Sequence, residues 1–198
     1  MADNTVRFGV SNSRYALEKE DGTFDSWNRI PGTVQVQIEP QESQSEFYAD
    51  NMVYFIQNGA ASDQVTIEIA DLTDQAKIDL VGYVRKAEGA GLLLPVNAKR
   101  KSFAYGFQVQ GDGKNMRVCI YGGKLNRPSN TYSTTTDSTE PSTMSIEGRF
   151  AGKTFLVDGE EEPLLYYVSL EGDSDYGTFW DAVPLAGDLP EAESPSQP

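Results

Sequence analysis

The chain has 198 residues, with 30 acidic and 16 basic side chains and a formal net charge of −14. This length fits one domain with loops or a tail, and a chain of this size can bury a core without disulfides or metals. It contains no histidine and a single cysteine, Cys119, which excludes histidine-based nucleophilic catalysis, the usual zinc sites and an internal disulfide framework.

The sequence shows neither a leader nor a membrane span. Its first ten residues lack the pattern of a signal peptide, and no run of about 18 apolar residues occurs. We therefore expect a protein that is made and stays soluble in the cytoplasm and has no membrane partner.

Charge is distributed unevenly along the chain. Residues 85–127 hold nine basic and two acidic side chains, whereas the flanking residues 1–84 and 128–198 each hold 14 acidic ones. The acidic excess would repel phosphate, which argues against binding to duplex DNA. Two interpretations stay open for the basic segment. It pairs with acidic strands of its own fold, or it meets an acidic surface on another copy, where complementary potentials guide association.

The first half of the chain predicts strands. Apolar and polar residues alternate in residues 34–38 and 65–69, a pattern typical of half-buried antiparallel strands. Residues 52–57 are more continuously apolar, as in an interior or intersubunit strand. Between them, residues 39–51 are polar apart from Phe47 and Tyr48. We expect a projecting loop or hairpin arm there.

One segment, residues 73–86, predicts a short helix. Thr73 is the expected N-cap, and Ala76, Leu80 and Val84 lie four residues apart on one side. Gly82 within the segment costs about 1 kcal/mol relative to alanine, which indicates close packing at that position.

Residues 101–123 predict a hairpin of two strands. Phe103, Tyr105 and Phe107 share one face, which suits a core. Ala104, Gly106 and Gln108 share the opposite face, which is small and uncharged. That face could meet water, a neighbouring subunit or an enclosed pore.

The last part of the chain is compositionally biased. Residues 129–145 contain 11 serines or threonines, which predicts either a linker or a threonine-rich edge strand. Residues 187–198 are rich in proline, acid and serine, and we expect a disordered tail after a single β domain spanning residues 1–186.

Motifs for catalysis, metals and cofactors are missing. No phosphate-binding or dinucleotide loop occurs, and the acidic stretch from Asp173 has Thr178 and Pro184 where an EF-hand needs glycine and glutamate. We predict no catalytic, metal-binding or cofactor-binding residues. The aromatic residues fit core or interface better than a sugar-binding platform.

Several stretches together resemble the major tail proteins of long-tailed phages, of the phi-thirteen type. The resemblance rests on FGVSNSRYALEKEDGTFDSWNRIPGTVQVQIEP, EFYADNMVYFI, IEIADLTDQAKIDLVGY, KSFAYGFQVQGDGKNMRVCIYGG and NRPSNTYSTTTDSTEP. They occur in the family's order and cover residues 8–141. After Gly148 the similarity is looser.

The resemblance implies a tail-tube fold: a mainly β, two-sheet sandwich or flattened barrel with one flanking helix and long loops or arms. Copies would form hexameric rings that stack into the tube of a virion assembled in the host cytoplasm. The partners would be the protein itself, the tape measure, tail tip and terminator proteins, and DNA that passes through the lumen without specific binding. The candidate interface residues are Phe47, Tyr48, Lys99, Arg100, Lys101, Ala104, Gly106 and Gln108.

The sequence thus predicts a structural phage protein that is not an enzyme and needs no cofactor. A carbohydrate-binding β-sandwich module of a receptor-binding apparatus is the alternative, favoured by the aromatic residues and the Ser/Thr-rich segment.

Overall fold

The computed structural model describes residues 6–41, 44–49, 52–58, 61–89, 91–130, 143–157 and 160–185. The expected tail at residues 187–198 and most of the Ser/Thr-rich segment, residues 131–142, lie outside this part of the chain. No helix among the described residues is long and apolar enough to cross a membrane.

The described residues form fifteen strands and one short helical segment. The helix α1 (Asp74–Ala76) continues directly into a π-helical turn (Lys77–Val81). The strands are β1 (Arg7–Leu17), β2 (Asn28–Arg29), β3 (Thr33–Gln41), β4 (Gln44–Ala49), β5 (Met52–Asn58), β6 (Ser62–Ile69), β7 (Val84–Arg85), β8 (Leu92–Leu93), β9 (Phe103–Gly111), β10 (Met116–Leu125), β11 (Ser129–Asn130), β12 (Met144–Phe150), β13 (Lys153–Val157), β14 (Glu160–Leu164) and β15 (Tyr166–Leu170).

A nine-stranded antiparallel sheet dominates the fold, and its main path is β2-β1-β9-β10-β12-β6-β3. Strand β11 adds to β12 and β15 adds to β10, while β4–β5, β7–β8 and β13–β14 form separate two-stranded ribbons. Strand β3, at one end of this path, lies beside β1, the second strand from the opposite end. The sheet is therefore strongly curved. The prediction of a mainly β, sandwich-like or barrel-like fold with one flanking helix is confirmed.

A bend in β10 lets this strand change partners. Its first half pairs with β15, and its last residues pair with β12. Between the two halves, the pairing with β9 shifts register after Ile120. Gly122 has a φ of +68°, and a Cβ at this position would lie 2.1 Å from the carbonyl oxygen of Gly152. Glycine is therefore required at the bend.

The concave inside of the sheet holds the main core. Side chains from β1, β6, β9, β10 and β12 alternate inward and pack together with the buried side of the helix. Phe103, Tyr105 and Phe150 are fully buried there, and the rings of Phe103 and Phe150 meet edge to face at 5.5 Å. Tyr105 also donates a hydrogen bond to Ser13 Oγ at 3.1 Å. The aromatic face of the predicted hairpin is thus a core face.

A second apolar cluster covers the outer face of β1, β9 and β10. Ala16, Ala104 and Cys119 point outward from these three strands and are completely buried. The segment after β15 covers them, together with Trp27, and Tyr121 anchors that segment by donating a hydrogen bond to the carbonyl of Pro184 at 2.7 Å. Both faces of the central strands are therefore buried within one chain.

The helical segment is shorter than the predicted range of residues 73–86. Thr73 is its N-cap, since Oγ1 accepts a hydrogen bond from the amide of Ala76 at 3.3 Å. Gly82 ends it in the left-handed conformation, with a φ of +88°. Its buried side carries Ala76 and Leu80 into the main core, and Tyr15 donates a hydrogen bond to Asp79 at 2.9 Å. The helix therefore packs against β1 at the edge of the core.

The cap at Thr73 gives a testable stability effect. Replacing Thr73 with alanine removes the acceptor for the amide of Ala76, and losing such a cap costs about 1 kcal/mol. We expect the urea midpoint to fall accordingly, with a melting temperature lower by about 2–4 °C. Thr73→Ser keeps the acceptor and serves as the control. An equal loss in the serine variant would show that the hydroxyl has no capping role.

Two irregular segments of the sequence contain strands. A loop or hairpin arm is expected at residues 39–51. The described part of this range, residues 39–41 and 44–49, belongs to the end of β3 and to β4, and β4 pairs with β5 as a ribbon outside the main sheet. The two ends of the Ser/Thr-rich segment also pair, because Ser129 lies opposite Ser145 in β12. The threonine-rich strand alternative thus describes these two ends.

Candidate subunit interface

The clearest surface feature is a basic ribbon that follows the helix, defined here as residues 84–101. It starts after Gly82, folds back where β7 pairs with β8, and returns to the start of β9. A Cβ at Gly82 would lie 2.9 Å from the carbonyl oxygen of Lys99 and 3.0 Å from Ala98. The two ends of the ribbon therefore meet tightly, which explains the glycine in the helical pattern.

The basic ribbon exposes large apolar side chains. Val84 and Leu93 are direct cross-strand partners, so they share one face, and they are 52% and 57% exposed. Val96 is 91% exposed in the following turn. Clustered apolar side chains on a surface mark contact sites more often than single ones do.

The same ribbon carries five exposed cations. Lys99, Arg100 and Lys101 are all exposed, and none of them forms an ion pair within the described residues. Arg85 and Lys86 add two more exposed cations at the start of the ribbon. Among the described residues, therefore, no acidic strand of the same fold pairs with these cations.

The chain also presents an exposed acidic strand. Glu160, Glu161 and Glu162 follow one another in β14, and all three are exposed. They lie opposite Val157, Leu156 and Phe155 in β13. The basic ribbon and the acidic strand β14 are complementary in charge, as a head-to-tail contact between two copies requires.

Four strands of the main sheet, β2, β3, β11 and β15, each have a single strand partner within the described residues, and two of them carry exposed apolar side chains. Strand β3 pairs only with β6, and β15 pairs only with β10. Both edges carry exposed apolar side chains, Val34 on β3 and Val168 and Leu170 on β15. Open edges with apolar side chains invite pairing with another chain.

Three of the predicted interface residues, Ala104, Gly106 and Gln108, lie on β9, outside the basic ribbon. Ala104 is fully buried under the second apolar cluster. A Cβ at Gly106 would lie 2.8 Å from Trp27 and 2.9 Å from Trp180, so two indole rings rest directly on its backbone. These two residues are inside the protomer, and we remove them from the interface candidates. The reason is that distant parts of the same chain cover their face.

Gln108 is half-buried and serves a local purpose. Its Oε1 accepts hydrogen bonds from Asn12 Nδ2 and Arg117 Nε, each at 3.4 Å. Phe47 and Tyr48 belong to β4, but their side chains lie outside the described part of the structure. The structure thus places Lys99, Arg100 and Lys101 on one exposed segment, whereas Ala104 and Gly106 are buried inside the protomer.

Sequence reasoning missed the apolar part of this surface. The predicted helix includes Val84 on its apolar side, and no prediction covers Leu93 or Val96; in the structure Val84 lies in β7, and all three side chains are exposed. The available signal was their position: apolar residues that alternate with glycine, proline and a basic run have little regular structure to bury them.

The described residues offer little for catalysis or small-ligand binding. Cys119 is fully buried, and burial raises the pKa of its thiol, which opposes nucleophilic reactivity. No group of three or more acidic or cysteine side chains in the described ranges is placed to hold a metal. A polar cleft beside Gln41, Gln64 and Arg149 has a volume of about 190 Å³. This cleft is smaller than typical ligand pockets, whose volumes are roughly 300–1,000 Å³.

The two tryptophans are half-buried and packed against each other and Phe179. Trp27 and Trp180 pack edge to face with ring centroids 5.5 Å apart, and both contact Phe179. Trp27 Nε1 also donates a hydrogen bond to the carbonyl of Phe179 at 3.3 Å. A sugar-binding platform needs an open ring face, and these rings are engaged with each other and with the sheet.

Comparison with known proteins adds no relative. No protein-family model matches the chain, and no curated protein matches it.

Proposed function

We propose that this protein is the structural subunit of a phage tail tube, which assembles from copies of itself into stacked rings around a channel for DNA. The observation that carries the proposal is the basic ribbon, which exposes both apolar side chains and cations that form no ion pair within the described residues. The family resemblance in the sequence supplies the kind of assembly. It also supplies the partners, which are the tape measure, tail tip and terminator proteins, and the location in the virion.

The ribbon would work as one half of a contact between unlike surfaces. In a ring, one surface of each subunit must fit a different surface of the next. Burial of Val84, Leu93 and Val96 would supply the hydrophobic part of the contact. The cations would meet acidic side chains such as those of β14, which would set the register and speed the encounter. Open strand edges at β3 and β15 offer further joints.

The charge of the chain suits passage of DNA better than its capture. Affinity for DNA comes mainly from lysines and arginines that neutralise phosphates. A subunit of net charge −14 that uses its cations for contacts between copies would leave a wall that does not retain DNA. The protein would therefore be a conduit without enzymatic activity.

Electron microscopy tests the proposal directly. We expect negative-stain images of concentrated purified protein to show rings or hollow tubes of uniform diameter, and analytical ultracentrifugation to show the matching large species. A protein that stays monomeric at every concentration, and that binds glycans on an array, would contradict the proposal and support the carbohydrate-binding alternative.

A further inference from the structure

Three arginines that the interface does not use converge on the outer face of the sheet. Arg14 on β1 lies directly opposite Arg29 on β2, so their side chains leave the same face. Arg117 on β10 reaches the same place, because its Cζ lies 5.6 Å from the ring of Trp180, while Arg14 Cζ lies 4.5 Å from that ring. The guanidinium groups of Arg14 and Arg117 thus both lie against the indole ring of Trp180.

Aromatic walls hold two of these guanidinium groups in position. Arg117 stacks on Tyr176, with 3.8 Å between Cζ and the ring, and donates hydrogen bonds to the Tyr176 carbonyl and to Gln108. Gly106 forms the floor and allows the indoles of Trp27 and Trp180 to approach the sheet closely. Such stacking orients a guanidinium for a planar anion. In Arg117 the Nε and Nη1 donors are engaged, which leaves Nη2 without a hydrogen bond among the described residues.

No carboxylate balances the cluster within the described residues. The ion pairs found there join Lys19 to Asp25, Lys77 to Asp71 and Lys153 to Glu18. Arg14 Nε is buried without a hydrogen-bond partner in the described structure. Burial lowers the pKa of Arg14, and the positive charges of Arg29 and Arg117 lower it further. The cluster therefore concentrates positive charge with which no carboxylate of the described ranges forms an ion pair.

The acidic residues of the adjacent turn are already engaged. Glu171 accepts hydrogen bonds from the backbone and side chain of Asn115 at 3.0 and 2.7 Å. Asp173 accepts one from the amide of Leu170, and Asp175 accepts one from Ser169. These carboxylates stabilise the turn, and their hydrogen bonds hold them to partners other than the arginines.

We propose that Arg14, Arg29 and Arg117 form a binding site for an oxyanion, and that its ligand is an acidic side chain of a second copy of this chain. Guanidinium groups bind carboxylate and phosphate through paired hydrogen bonds. A carboxylate is favoured because each copy carries 30 acidic side chains, whereas its net charge of −14 opposes the approach of nucleic acid. The choice of a second copy rests on the proposed function; the oxyanion site itself does not.

Intrinsic fluorescence provides a direct probe, since both tryptophans of the chain lie in this cluster. Inorganic phosphate should change the tryptophan emission of dilute, unassembled protein in a saturable manner, beyond the effect of sodium chloride at equal ionic strength. Arg29 is exposed on a two-residue edge strand, so Arg29→Gln should fold normally. Loss of one charged hydrogen-bond donor should weaken phosphate binding about tenfold.

The control is Lys99→Gln combined with Arg100→Gln and Lys101→Gln, which removes positive charge far from the tryptophans along the chain. We expect this variant to bind phosphate as the wild type does. Equal responses in wild type and Arg29→Gln, or no response beyond that of chloride, would overturn the oxyanion site. Circular dichroism of each variant establishes that it is folded.

Two further results separate the possible sources of the anion. Assembly by wild-type protein that Arg29→Glu slows or abolishes would support a carboxylate from a second copy. A tighter fluorescence response to a DNA duplex than to phosphate, lost in Arg29→Gln, would overturn that choice in favour of nucleic acid.

Other results separate this site from the proposed function. Wild-type protein that binds phosphate but never self-associates would overturn both the proposal that a second copy supplies the ligand and the proposed function. Tube formation without a phosphate response would overturn this site alone.

Discussion

A chain in which Lys99, Arg100 and Lys101 are all replaced by glutamate should fold as a monomer but fail to form tubes. All three side chains are exposed and none has an ion pair within the described residues, so folding does not depend on them. The three reversals change the net charge by six, from −14 to −20. An attractive contact with an acidic surface would then become repulsive.

The size of this effect follows from the number of charges. An exposed ion pair contributes up to about 1 kcal/mol, so three lost pairs cost up to about 3 kcal/mol per contact, and repulsion adds to this. The loss of the pairs alone corresponds to an assembly concentration raised by up to about a hundredfold. Because the pairs are exposed, high salt should weaken assembly of the wild type and partly relieve the defect of the variant.

A matched control separates the ribbon from the overall charge. Lys114, Lys124 and Arg127 are also exposed cations of the basic segment, but they lie outside the ribbon. Their combined replacement by glutamate gives the same net charge as the ribbon variant. We expect this control to form tubes under conditions in which the ribbon variant stays monomeric, as judged by negative-stain microscopy and sedimentation. Identical behaviour of the two variants would sink the assignment of the ribbon.

The second large effect is expected inside the protomer, at Gly123. A Cβ at this position would lie 2.2 Å from Phe150 Cε1 and 2.6 Å from Cζ. The ring of Phe150 is fully buried, and its contact with Phe103 limits how far it can move. Gly123→Ala should therefore lower the free energy of unfolding by about 3 kcal/mol. For a chain of this size, the melting temperature should fall by about 6–12 °C.

Gly113 in the turn of the same hairpin provides the control. A Cβ there meets no atom within 4 Å, and neither Gly113 nor Gly123 has a positive φ. Alanine fits the backbone at both positions, and such a change is ordinarily neutral or stabilising because it restricts the unfolded chain. Urea denaturation should thus show opposite or clearly different shifts for the two variants. Equal midpoints would mean that Phe150 moves aside at little cost.

The sequence alone determined those structural elements that depend on residues close together along the chain. Alternation with a period of two identified the hairpin of β9 and β10 and its core face of Phe103, Tyr105 and Phe107. Capping chemistry identified Thr73 as the start of the helix. The end of the helix was placed too late, because Gly82 adopts a left-handed conformation that periodicity does not register. Each of these features depends on residues within a few positions of one another.

Only the tertiary structure decided what covers each face. Ala104 and Gly106 share a small outward face, and the sequence left open whether water, a neighbour or a pore meets it. Trp27 and Trp180 cover it from opposite ends of the chain. The same long-range pairing gathers Arg14, Arg29 and Arg117, and the cations of the basic ribbon stay exposed in the described structure. Strand periodicity states which residues share a face, whereas the partner of that face depends on contacts between residues far apart in sequence.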